Sequence, residues 1–197
     1  MRKRFLMFCF FFQVSIIALV ARGQSIVYSN KPFGITLNFP AGWQVLNSKE
    51  IAMLSNFTVS EVNLDSGTRT YEDDIAIIAI ALEKRMDPEY TVQVISEKFT
   101  EDSKDRSTKE YLLQGIGYMR QQGINVTQFT VPTAFNTRNG FTFFTSKMEI
   151  LTDVYRHFEK FYIIKRQNDF IIISGSFPEV SNDSWLDDVV NSISLTP

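Results

Sequence analysis

The sequence predicts an α+β protein in which a mostly antiparallel sheet is layered against helices. Three observations carry that expectation. Ile75 to Leu82 reads Ile-Ala-Ile-Ile-Ala-Ile-Ala-Leu, apolar on both faces, as a strand in the middle of a sheet covered on both sides must be. From Ile124 onward the apolar period becomes two, with strands expected near 125–132, 140–151, 155–166 and 169–177. Their short connections demand an antiparallel meander, because parallel neighbours need a long crossover. Helical spacing, finally, appears both before and after this run of strands.

In chain order, Ile35, Leu37 and Phe39 alternate with polar residues and predict a half-buried strand that stops at Pro40. Pro40-Ala41-Gly42 reads as a turn, and Trp43 and Val45 restart an extended segment. Asn47 is placed to cap a short helix from Ser48 to about Leu54, with Glu50 at the reciprocal position. Phe57, Val59 and Val62 suggest a further strand, while Ser29 to Pro32 and Leu64 to Tyr71 read as turns or loops. Asp87-Pro88 resembles a helix opening, and Val92, Ile95 and Phe99 recur behind it at helical spacing. A second helix is expected from Thr108 to Gln122, with Leu112, Ile116 and Met119 on one face and Gly123 as the stop. A last helix starts at Asn182 or Asp183 and buries Trp185, Leu186, Val189, Val190 and Ile193. Asp187 and Asp188 lie near its positive end, where the helix dipole favours them.

The first residues have the layout of an export signal. Arg2, Lys3 and Arg4 precede an apolar stretch from Phe5 to Val20, and Ala21-Arg22-Gly23 sets small residues for a cut before Gln24. The expected organisation is therefore a signal peptide over 1–23 and one domain over 24–197, the alternative being an uncleaved N-terminal anchor. Cys9, the sole cysteine, would leave with the signal. It lies early in the apolar stretch behind bulky Phe8, which is not how a lipid-bearing cysteine is placed. With Arg2, Lys3, Arg4 and Arg22 gone, 16 basic side chains face 22 acidic ones, a formal charge of −6. Such a domain is not built to neutralise phosphates, so nucleic acid is not an expected partner. Without cysteine, disulfides, thiolate metal sites and cysteine nucleophiles drop out. No later stretch is long and apolar enough to insert stably in a membrane.

Two regions carry a family resemblance. Tyr28 to Trp43 ends in Phe-Gly-Ile-Thr-Leu-Asn-Phe-Pro-Ala-Gly-Trp, and Phe170 to Leu195 runs an apolar strand to Phe177-Pro178, then a helix closing on Val-Val-x-Ser-Ile at Val189 to Ile193. These ends resemble PsbP-like and DcrB-like domains. The resemblance implies an α-β-α sandwich around a mostly antiparallel sheet and a usually non-enzymatic role as an exported binding or accessory factor. Pro40, Gly42, Trp43 and Trp185 are its structural marks. The family has no universal catalytic motif, so none is carried over.

Candidate chemistry is sparse. His157, the only histidine, shares a strand face with Tyr155, Glu159, Phe161 and Ile163. One histidine without cysteine does not make a zinc site, and no Gly-x-Ser-x-Gly elbow is present. Glu72-Asp73-Asp74 clusters carboxylates without the spacing of a calcium loop. Arg156, Phe158, Lys160, Tyr162, Ile164 and Arg166 share one strand face. Of these, Arg156, Lys160, Tyr162 and Arg166 form a candidate partner-binding face. The competing reading is amphipathic packing under a helix, with the basic ends reaching water. Trp43 and Trp185 suit core anchors that hold the chain ends together. Asn56, Asn125 and Asn182 each open an Asn-x-Ser/Thr sequon.

The expectation for function is an exported, periplasmic or extracellular, non-catalytic binding or accessory protein that contacts another protein or an envelope component and uses no cofactor. Two alternatives stand beside it: a secreted hydrolase using carboxylates or a serine, and a lipocalin-like carrier of small apolar ligands.

Overall fold

The structure, a computed structural model, describes residues 25–47, 49–51, 68–70, 75–83, 90–101, 103–152, 156–178 and 183–196. The expected signal, the Phe57–Val62 strand, the Asp87-Pro88 opening and the Glu72–Asp74 carboxylates lie outside these residues.

The chain opens with β1 (Ile26–Asn30), a 3-10 turn (Lys31–Phe33) and β2 (Ile35–Phe39). β1 and β2 pair antiparallel, and β12 (Ser194–Leu195) adds to the other side of β2. Ile35, Leu37 and Phe39 are all buried, on the one face their alternation requires. At the turn after Pro40, Gly42 takes a φ of 90°, a conformation that favours glycine, and the chain enters the larger sheet.

That sheet is nine-stranded among the described residues. Its path is β3 (Trp43–Val45), β5 (Ile75–Glu83), β6 (Thr91–Lys98), β11 (Asp169–Phe177), β10 (Arg156–Lys165), β9 (Thr142–Leu151) and β7 (Val126–Phe129). β4 (Thr68–Thr70) also pairs with β5, and β8 (Thr133–Asn136) with β9. Each of these pairings is antiparallel. Helix α1 (Thr108–Gln121) lies on one face, and α2 (Ser184–Asn191), with the small sheet, on the other. This is an α-β-α sandwich around an antiparallel sheet. Among the described residues the sheet is open, with an edge at each end and no barrel closure of the kind a lipocalin-like carrier would show.

The α1 face is an apolar seam of aliphatic and aromatic side chains. Tyr111, Leu112, Ile116 and Met119 pack on Met148, Ile150, Phe161, Ile163, Phe170 and Ile172. The helix starts on a capping box: Glu110 N donates to Ser107 Oγ at 3.2 Å, and Ser107 N donates to Glu110 Oε2 at 2.9 Å. It stops where Gly123 takes a φ of 84°. The seam holds a cavity of about 10 Å³, room for one water at most and none for an apolar ligand. On the other face, Leu186, Val189, Val190 and Ile193 close over Ile35, Leu37, Phe39, Val92, Val94, Ile171 and Ile173.

Several sequence expectations need correction. The helix expected behind Asp87-Pro88 is absent over its apolar stretch: residues 91–98 are strand β6. Val92, Val94 and Ile95 are buried because the strand is covered on both faces, which erases the period of two and mimics helical spacing. Pairing with β5 on one side and β11 on the other decides the matter. Strand β1 runs through Ser29 and Asn30, where a loop is expected, and β4 lies inside the expected Leu64–Tyr71 loop. The strand expected over 125–132 ends at Phe129, and β8 follows Pro132. Of the helix expected after Asn47, residues 49–51 are described and helical. Its cap forms as expected: Lys49 N and Glu50 N donate to Asn47 Oδ1, and Asn47 N donates to Glu50 Oε2.

Two glycines should respond oppositely to alanine. A Cβ on Gly175, in β11, meets Leu186 Cδ2 at 2.5 Å and Trp185 Cη2 at 3.0 Å, whereas one on Gly117, in α1, meets nothing within 4 Å. Gly175→Ala is expected to cost about 1–3 kcal/mol by overpacking. Gly117→Ala is expected to stabilise by about 0.5–1 kcal/mol by removing helix-interior glycine. Denaturant unfolding of both variants measures this, and equal effects would contradict the close approach of α2 to β11.

Candidate functional site

Strand β10 carries the candidate side chains, and alternation sends them to opposite faces. Arg156, Phe158, Lys160, Tyr162 and Ile164 face α2, while His157, Glu159, Phe161 and Ile163 face the α1 side.

On the α2 side the strand register creates a problem. Lys160 lies directly opposite Lys147 of β9, and like charges so placed repel. The first turn of α2 supplies the countercharge. Lys160 Nζ donates to Asp187 Oδ1 at 2.6 Å and lies 3.3 Å from Asp183 Oδ2; Lys147 Nζ lies 3.4 Å from the same oxygen. Tyr162 OH also donates to Asp187. Asp183 stands at the N-cap of α2, yet its side chain makes no capping bond, because the two lysines occupy it. Burial raises its pKa, but Lys160 and Lys147 together outweigh burial and hold the carboxyl below its ordinary range. Burial first, then Asp187, push the Tyr162 phenol far above its ordinary value.

The other members of the candidate face lie apart from this knot. Arg156 is 57% exposed and pairs with Glu149. Arg166 donates from Nε and Nη2 to the two oxygens of Asp169, each at 2.8 Å, and from Nη1 to Phe33 O at 2.7 Å. Such a fork is among the stronger polar contacts available. It ties the N-terminal segment to β11, and Ser96 Oγ completes it by donating to Asp169 Oδ2 at 2.5 Å. The four residues are thus divided: Lys160 and Tyr162 engage α2, Arg166 clamps the chain start, and Arg156 faces solvent. Trp43 is buried and packs against half-buried Trp185, the ring centroids 4.8 Å apart and the planes tilted by 35°. Tyr90 and Phe177 meet Trp185 edge-on.

On the α1 side, His157 and Glu159 are 4% and 6% exposed, with Nε2 3.6 Å from Oε1. Ser176 of β11 is the register partner of Glu159. A base for hydrolysis must reach its substrate, and this pair is shut from solvent. Among the described residues, no group of three or more His, Cys, Asp and Glu is placed to hold a metal ion. No helix there is long and apolar enough to cross a membrane.

A surface that the motif reading passed over lies at the sheet's end. β7 and β8 form a run from Val126 to Asn136 whose inner side pairs with β9. No charged residue occurs from Gln121 to Thr137. That charge-free window is the sequence signal that marks it.

The Lys147–Asp183–Lys160–Asp187 knot predicts pH behaviour. Asp183 has a lowered folded pKa, so its contribution is complete above the unfolded value of about 3.9 and is lost as pH falls through the folded one. Asp183→Asn should flatten that acid loss. Tyr162 has a raised pKa, so its contribution is complete below about pH 10 and is lost as pH rises beyond it; Tyr162→Phe should flatten the alkaline side. Lys160→Met is expected to cost about 1.5–3 kcal/mol at neutral pH by stripping Asp187 of its charged donor. Denaturant unfolding across pH checks all three, and parallel profiles for variant and parent would refute the assignments.

Comparison with known proteins places this architecture. No family model matches the chain, and no curated protein matches it. The solution structure of cyanobacterial PsbP (CyanoP) from Synechocystis sp. PCC 6803 superposes with a TM-score of 0.54 at 14% identity, covering 93% of this chain and 99% of that one. A crystal structure from Bacteroides thetaiotaomicron VPI-5482 gives a TM-score of 0.48 at 8% identity, covering 90% of this chain and 50% of the other, too distant to carry an argument. The CyanoP match spans both chains almost end to end and shares the layered antiparallel architecture, so this chain has the PsbP-like fold.

Proposed function

We propose that the chain is an exported, non-catalytic accessory protein that works by surface contact with another protein or an envelope component. One observation carries this reading: among the described residues, the candidate groups Lys160, Arg166 and His157 are each engaged by a carboxylate of the fold. Lys160 is held by Asp187, Arg166 by Asp169, and His157 lies against Glu159 with both shut from water. Catalytic acids and bases instead stand where substrate can reach them. The PsbP-like fold supports the accessory role at the level of fold only, since one fold hosts many functions. Export rests on the residues before Gln24, whose charged start, apolar middle and small-residue end form a signal.

The test uses the full chain with a C-terminal tag, expressed in its host. Gln24 is expected at the N-terminus of the recovered protein, and one assembly is expected to copurify reproducibly. Ester, peptide and glycoside substrates should be turned over no faster by the parent chain than by a His157→Ala variant. An intact Arg22-Gly23 would refute cleavage, and turnover lost on His157→Ala would refute the non-catalytic reading.

A further inference from the structure

The nine-stranded sheet has two unequal edges. One is made of the three-residue strands β3 and β4. The other is the long run of β7 and β8, from Val126 to Asn136, with no described strand on its outer side. An edge presents a row of N–H and C=O groups that can pair with another chain, and proteins usually guard it with lysine, inward charge or proline. Here the guards are Pro132 and the register shift between Val126 and Gln128, in a window free of charge. Phe129 and Val131 are 37% and 66% exposed, and the run is rich in β-branched residues suited to cross-strand pairing.

We propose that this edge receives an extended peptide of a partner protein, added as a further strand, with an uncharged β-branched centre and carboxylates at its ends. The proposal rests on the accessory reading above and names its surface and the partner's chemistry. Main-chain bonds would supply affinity in such an addition, and the flanks its specificity. The flanks are two arginines. Arg120 donates to Val126 O from Nε at 3.3 Å and from Nη2 at 3.0 Å, with its guanidinium 5.2 Å from the Phe129 ring centroid. Arg138 follows the far end; its contact with Asp188 spans 3.9 Å between largely exposed side chains, a pairing of little strength. Positive charge thus brackets a neutral strand.

The same charges disfavour a second copy. Symmetric antiparallel pairing along the whole run sets Val126 opposite the second copy's Asn136. The Arg120 guanidinium, bound at Val126, then approaches the second copy's Arg138, and the clash recurs at the other end. Two chains each of formal charge −6 after signal removal also repel overall. A foreign peptide with acidic ends meets neither obstacle.

The probe is a synthetic peptide of alternating threonine and valine with two aspartates at each end, compared with one ending in lysines. Binding is followed by fluorescence anisotropy and by amide hydrogen exchange of the full chain. The aspartate-ended peptide is expected to bind at least tenfold more tightly, the difference narrowing with salt, while amides between Thr127 and Asn136 gain protection. Val131→Glu should weaken it at least tenfold with an unchanged unfolding midpoint, whereas Val131→Lys should retain it. Equal affinity for the two peptides, unprotected edge amides, or a concentration-dependent dimer that protects those amides would overturn the proposal. If the Val131→Glu chain still captures the natural partner, strand addition fails while the accessory reading stands. If the parent chain captures nothing, the accessory reading fails and the peptide measurement still decides the edge.

Discussion

Strand β11 lies between β6 and β10, and every residue from Asp169 to Gly175 is buried. A strand so placed must be covered on both faces at once, and the two covers differ in kind. α1 supplies a mixed aliphatic and aromatic seam in which Tyr111 stacks on Phe170. α2 instead comes so near that a Cβ at position 175 would meet Leu186 Cδ2 at 2.5 Å and force a shift. That approach fixes where the last helix lies, and with it the contact of Trp185 on Trp43. The start and the end of the chain are joined through this one close passage. β12 repeats the closure by pairing residues just past α2 with β2.

Once α2 is fixed, the electrostatics follow. Its first turn lies over β9 and β10, where Lys147 and Lys160 face one another. Two like charges in a half-buried setting need an opposite charge between them, and Asp183 and Asp187 provide it. An aspartate at an N-cap would ordinarily accept from the helix's own free N–H groups. Asp183 does not, because two ammonium groups offer more than one backbone amide. A polar strap holds the opposite margin of the same face. Tyr28 OH donates to Ile78 O at 2.5 Å, at the point where the β5–β6 register shifts and the bulge leaves that carbonyl outside the ladder.

Much of this fold was legible in the sequence, where a local pattern and the tertiary outcome agree. Ile75 to Leu82 announced a strand covered on both faces, and Ile35, Leu37 and Phe39 a strand covered on one. The meander of β9, β10 and β11 followed from turn residues such as Asn139-Gly140 between alternating runs. β6 reads as a helix because burial on both faces removes the alternation that marks a strand, and Val92, Ile95 and Phe99 then fit helical spacing equally well. Only its neighbours β5 and β11, distant in sequence, distinguish the two. β1, β4, β8 and β12 are short, and pairing rather than propensity makes them strands. At the candidate site, the basic and aromatic alternation of β10 was visible. That Lys160 turns to Asp187 depends on the placement of α2, which no window of sequence contains; the Arg166–Asp169 fork is local to the β10–β11 turn, but its reach to Phe33 O is not.

The covering of the faces also determines what is left for recognition. Side chains in the middle of the sheet are enclosed by α1 and α2, and most of the charge on β10 is spent inside the fold. On the proposed reading a partner would meet the rims, and at the β7–β8 rim it would meet main chain before side chain. Main-chain pairing discriminates poorly among sequences, since every non-proline residue offers the same donor and acceptor. Selectivity there must come from the ends of the strand, where Arg120 and Arg138 stand, and from Pro132, which removes one donor and breaks the ladder. A neutral centre with charged ends admits a complementary strand and rejects another copy of itself. In an acidic protein, this is a form an open edge can take without inviting aggregation.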